Sequence, residues 1–265
     1  MSSKLNCLLN NISSGEVILQ SWLSNHGITP QLAKKYCLSQ WLIKIGTGVY
    51  YRSGRLPTWQ NAIYCLQNQS NSMTHLAGLT SLARQGKSHY LQLSTESIWI
   101  NVRGKTVLPK WFKAFPTIHL SVTVSKNQAL RWEIIKTSKL TCIDDDLTIV
   151  DIDGVKLKAS TQELAAFEVL EAVPFTLSFE YAAELFQGLV NLSPKRVESI
   201  LRRSGSIQTN RLFLFFGHFY KHPWIARVNE SAINLGSGKR KIVSDGKLEK
   251  QYQITVPEQF INREI

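Results

Sequence analysis

Residues 15–54, GEVILQSWLSNHGITPQLAKKYCLSQWLIKIGTGVYYRSG, decide how the N-terminal part of this chain is read. Val17, Ile18, Leu19, Trp22 and Leu23 recur at helical spacing and Gly27 stops the segment, so it reads as a supporting helix. Thr29 is placed to cap a second helix and Pro30 suits its first position. The buried stripe of that helix is Leu32, Ala33, Tyr36 and Cys37, which leaves Gln31, Lys34, Lys35 and Ser39 facing outward. Residues 41–45 and 49–52 are short strand-like runs separated by Gly46, Thr47 and Gly48, the composition of a tight hairpin. Two helices, a turn and a basic hairpin predict a winged helix-turn-helix.

That arrangement points to DNA. Lys34 and Lys35 on the second helix, with Lys44, Arg52 and Arg55 on the hairpin, place cations where a duplex presents phosphates. Thr47 lies at the hairpin tip, and base readout falls to Gln31, Lys34 or Lys35. The plainer alternative is a protein-docking module whose lysines are merely solvated.

Composition sets the wider bounds. A chain of 265 residues with 43% hydrophobic content is long enough for two packed domains. The net charge of +12 is uneven: residues 1–60 hold 6 Lys or Arg against 1 acid, residues 61–160 hold 12 against 7, and residues 161–265 hold 13 against 11. The nets are +5, +5 and +2, so the shortest segment is the most cationic per residue and favours a polyanionic partner. Cys7, Cys37, Cys65 and Cys142 stand far apart without metal-ligand spacing, as free thiols in a reducing compartment do. With no leader-like segment and no long apolar run, the sequence is expected to be cytoplasmic and to have no membrane partner.

Past the hairpin, Trp59, Ala62, Ile63 and Leu66 suggest a helix ending in the polar string QNQSNS, with a domain boundary there. A helix is expected over 76–85. Strands are expected in LQLSTESIWINVRG (91–104) and IHLSVTVS (118–125), then over 147–150 and 155–159 around the Asp153-Gly154 turn. Ser160 and Glu163 have the spacing of a capping box, and helices follow over 179–190, from Ser193-Pro194, and over 211–220. The tail reads as a basic turn and two strands. The fold class expected is α+β: a winged helix-turn-helix (1–70), then a larger mixed α/β domain (71–265) with its sheet in 71–159 and a helical bundle and β-hairpin in 160–265.

No enzyme signature stands out. His218 and His222 have i, i+4 spacing but no third ligand, so no metal is expected. Asp144, Asp145, Asp146, Asp151 and Asp153 are better explained as turn formers than as a nuclease centre. The run Gly236 to Lys241 lacks the spacing of a phosphate-binding P-loop and reads as a basic turn for an acidic partner or RNA. No cofactor is implied.

The blocks WLIKIGTGVYYRSG, THLAGLTSLARQGKSHYL, NLSPKRVESILRRSG and LGSGKRKIVSDGKLEKQYQITVP together resemble the AbiEi-type abortive-infection antitoxins, in that family's order and over nearly the whole chain. The resemblance implies a bacterial antitoxin that represses its own operon by binding promoter inverted repeats through the N-terminal domain. It also implies a partner, an AbiEii-type nucleotidyltransferase toxin, countered by the C-terminal domain in type IV fashion, without a required stable complex. Carried onto this chain, the DNA-reading positions are Gln31, Lys34, Lys35, Ser39, Lys44, Thr47 and Arg52, and the antitoxicity candidates are Arg202, Arg203, Lys239, Arg240 and Lys241. One departure is Ala77 before Gly78, where the family often has two glycines. The rival readings are a stand-alone transcription factor and an enzyme, either a nuclease built on the aspartates or one that reverses the toxin's modification.

Overall fold

A computed structural model describes residues 4–70, 72–86, 97–104, 107–122, 130–135 and 139–261. It begins with helix α1 (Lys4–Asn11), strand β1 (Val17–Leu19), helices α2 (Gln20–Asn25) and α3 (Pro30–Leu38), and the hairpin β2 (Leu42–Gly46) and β3 (Val49–Arg52). β3 lies between β1 and β2, antiparallel to both.

Val17, Ile18 and Leu19 form a strand rather than the start of the expected supporting helix, which is only Gln20–Asn25. The physical reason is burial on two faces. Val17, Val49 and Tyr51 face one apolar cluster, while Ile18 and Tyr50 face another with Leu8, Ile12, Leu23, Ile28, Ala33 and Leu42. A strand buried on both sides reads as an unbroken apolar run, which periodicity does not separate from a helix.

Helix α4 (Trp59–Gln69) follows, then β4 (Thr74–Leu76), α5 (Gly78–Arg84), β5 (Ser97–Val102), α6 (Lys110–Val122), β6 (Arg131–Ile135), β7 (Leu147–Ile152) and β8 (Val155–Ser160). These strands make one mixed sheet in the order β6-β5-β4-β8-β7, with β4–β8 and β5–β6 parallel and the remaining pairs antiparallel. Residues 118–122, expected as strand, are the end of α6. The buried Phe112 and Phe115, one turn apart, start that helix, and the branched alternation downstream does not override it. Residues 123–125 of that expected strand, and 91–96 of the preceding one, lie outside the described residues.

The remainder is α7 (Gln162–Glu171), α8 (Phe179–Gln187), α9 (Pro194–Arg203), α10 (Ile207–Phe219) and a small sheet of β9 (Arg240–Lys241), β10 (Lys247–Glu249) and β11 (Ile254–Val256), ordered β10-β11-β9. Its core is aromatic: Phe167, Phe179, Phe186, Phe213 and Phe216 are fully buried. The cap of α7 is Thr161, whose hydroxyl accepts from Leu164 N, and not Ser160, which ends β8. Glu163 accepts from the backbone N–H of Ser193 at 2.7 Å instead of closing a capping box.

Candidate nucleic-acid interface and basic C-terminal face

Helix α3 is set by its own sequence. Thr29 accepts from Leu32 N at 3.3 Å and Pro30 needs no donor at the first turn. Ala33 is buried and Leu32, Tyr36 and Cys37 are half-buried, with burial raising the Cys37 thiol pKa. Gln31, Lys34, Lys35 and Leu38 form the outward stripe, and Ser39 follows it, also exposed. On the hairpin Lys44 and Thr47 are exposed, as is Arg55 just beyond it.

Arg52 does not join them. Its guanidinium donates to the carbonyl of Leu9 at 2.9 Å and to that of Ile12, satisfying acceptors at the end of α1 that the helix leaves open. The expected phosphate contact is thereby turned into an internal tie. No local sequence signal distinguishes such an arginine from Lys44 or Arg55.

The basic residues of the C-terminal part separate in the same way. Arg202 is exposed and pairs with Glu198 across one turn of α9 at 3.5 Å. Arg203 forms a two-pronged pair with the buried Asp146, at 2.8 and 3.0 Å, and also donates to Thr141 O. It ties α9 to the start of β7 and is not a free cation.

Lys239 and Lys241 are exposed and Arg240 half-exposed where the chain enters and forms β9, a segment that residues outside the basic run hold in place. Arg211, buried at the start of the RLFLFF run, donates to Leu235 O and Gly238 O, both at 2.6 Å. Asn210 donates to Asn234 O at 3.1 Å. Burial lowers the pKa of Arg211, with the charge of Arg240 a smaller cause. An arginine opening an aromatic helical run was the available signal.

The aspartates do not converge. Asp146 binds Arg203, Asp151 accepts from Gly154 N at 2.9 Å, and Asp153 accepts from Gln60 at 2.9 Å. His218 pairs with Glu230 at 2.5 Å, whereas His222 donates to the Phe186 carbonyl at 2.8 Å. Among the described residues no group of three His, Cys, Asp or Glu side chains is placed to hold a metal ion. Nor, among them, is any helix long and apolar enough to cross a membrane.

Residues 95–257 match the family described as "Transcriptional regulator, AbiEi antitoxin, Type IV TA system", and residues 1–93 match its N-terminal domain. This chain belongs to the AbiEi antitoxin family. It is a transcriptional regulator of the type IV toxin–antitoxin class. No curated protein matches. The solved structure of the RV2827C protein from Mycobacterium tuberculosis is similar over 94% of this chain and 88% of its own, with 14% identity and a TM-score of 0.57. That likeness shows a shared fold.

In this AbiEi antitoxin the THLAGLTSLARQG block surrounds a buried carboxylate. Glu168 of α7 accepts from His75 Nε2 at 3.0 Å, Asn101 at 2.7 Å, Ser160 at 2.7 Å and the backbone N–H of Gly78 at 2.9 Å. Gly78 has φ of 42°, and a Cβ there would lie 2.6 Å from the Trp99 ring. The backbone therefore makes its close approach at Gly78 itself, and Ala77 in place of a second glycine is accommodated.

Proposed function

We propose that α3 and the β2–β3 hairpin act as a winged helix-turn-helix that binds inverted repeats in the promoter of this protein's own operon. The observation that carries this reading is the outward stripe of α3. Gln31, Lys34 and Lys35 are all exposed on a capped helix beside Lys44 of the hairpin. Such a helix enters a major groove while the hairpin follows the backbone. Lys34, Lys35, Lys44 and Arg55 supply phosphate contacts, and Gln31, Ser39 and Thr47 supply polar ones. Titration of the promoter duplex across a salt series tests it: Lys34→Ala with Lys35→Ala should flatten the slope of log K against log salt by about one per lost contact. An unchanged slope overturns the groove assignment.

In the same proposal residues 71–265 counter a nucleotidyltransferase toxin, with Arg202, Lys239, Arg240 and Lys241 as the solvent-facing cations of that activity. Replacing these four with Ala should abolish rescue of cells expressing the adjacent toxin gene while promoter binding persists. Full rescue by a folded variant overturns the assignment.

A further inference from the structure

Leu38 breaks the pattern of the helix that carries it. The outward positions of α3 are Gln31, Lys34, Lys35 and Leu38, so a leucine continues a polar stripe by one more turn. It is 77% exposed, and Trp41 and Ile43, which follow it into β2, are 41% and 40% exposed. None of the three belongs to the apolar clusters of the fold. The backbone beneath them is fixed: Trp41 N–H donates to Tyr36 O at 2.9 Å and Trp41 O accepts from Ser53 N at 3.1 Å. Ile43 pairs with Tyr51 and so lies on the hairpin face away from α3, which leaves Leu38 and Trp41 as exposed apolar groups at the end of α3, the kind of patch that marks an interaction surface.

The charges around the patch identify its occupant. Lys34 and Lys35 precede it on the same helix and Lys44 follows it on the hairpin, all exposed and all cationic. A protein partner with an apolar face leaves these cations to be matched, whereas a DNA groove offers phosphates at both walls and one apolar group on its floor. That group is the C5-methyl of thymine, which presents in the major groove and is read by apolar side chains. Resting on the DNA-binding reading above, we infer that Leu38, followed by the exposed Trp41, reads thymine methyl groups of the operator. Leu38 is thus a specificity-determining residue, and the operator half-site carries thymine where the C-terminal end of α3 meets it.

The test uses the full chain and the duplex immediately upstream of its own coding sequence, amplified with either thymidine or deoxyuridine triphosphate. Uracil pairs as thymine does but lacks the methyl. Wild-type protein should bind the uracil duplex about fourfold more weakly for each methyl covered, with an unchanged salt slope. Leu38→Ala, whose fold is checked by circular dichroism, should bind both duplexes equally and as weakly as wild type binds uracil DNA. Equal wild-type affinity for the two duplexes overturns the inference, as does a Leu38→Ala protein that keeps the discrimination. A change of sedimentation in Leu38→Ala without any thymine dependence assigns the patch to contact between two copies and also overturns it. Failure of the wild type to bind either duplex in a salt-dependent manner is a different result, because it removes the DNA-binding reading itself.

Discussion

Glu168, fully buried, and Glu171, half-buried, lie one turn apart on α7 and their surroundings give them opposite properties. Glu168 has its four acceptor positions filled by His75, Asn101, Ser160 and the N–H of Gly78, so its carboxylate is matched despite complete burial. Glu168→Ala leaves those donors without an acceptor and is expected to lower stability by about 3–5 kcal/mol, read as a shifted urea midpoint. Glu171 is not matched in this way. Burial, and secondarily the charge of Glu168, raise its pKa from 4.5 to about 7. A carboxyl raised in the folded state binds a proton there that the unfolded chain has already lost, so stability falls as pH rises from about 4.5 to about 7. Glu171→Gln should therefore be more stable than wild type at pH 8, by about 1–2 kcal/mol after allowing for partial exposure, with the difference gone below pH 4.5. Thermal unfolding of both proteins across that range checks the sign; a difference that is constant with pH counts against it. Neither role was legible in the sequence, where Glu168 and Glu171 look like ordinary residues of an amphipathic helix.

Among the elements, α3 was the most legible because its signals are local: a capping threonine, a first-turn proline and an apolar stripe at helical spacing. β1 and the end of α6 were not, since two-sided burial decides the first and packing established upstream decides the second. The hairpin falls between these cases. Its strands and glycine turn were readable, but the direction of each arginine depends on α1, a helix with no marked signal. That difference gives a paired prediction. Arg52→Ala removes the donor to Leu9 O and Ile12 O and should cost about 1–2 kcal/mol of stability, with the salt slope of promoter binding unchanged in the folded fraction. Lys44→Ala should do the reverse, leaving the melting temperature in place and lowering the slope by about one. Calorimetry and salt titration on the same two variants separate the roles, and a slope change in Arg52→Ala contradicts the inward assignment.

At the scale of the whole molecule, α4 joins the N-terminal fold to the central sheet. It buries Trp59, Ala62, Ile63, Cys65 and Leu66 in the cluster that contains Val17, Val49 and Tyr51 on one side and Ile100, Leu157 and Ala159 on the other. Gln69 reinforces the first side by accepting from Leu19 N at 2.9 Å and donating to Val17 O at 3.1 Å, and Gln67 the second by donating to Thr74 O and Lys158 O. The division of labour at residue 70 is a proposal about function, whereas packing makes α4 common to both parts. A fragment of residues 71–265 strips α4 from the sheet and uncovers Leu157, Ala159 and Ile100, apolar area that water then meets directly. A fragment of residues 58–265 keeps that face covered and uncovers only the side of α4 that β1 and β3 occupy. The longer fragment is expected to elute as a single species, unfold cooperatively and rescue cells from the toxin. The shorter one should aggregate on size-exclusion chromatography. If the shorter fragment is equally soluble and unfolds as sharply, α4 belongs energetically with the DNA-binding part alone.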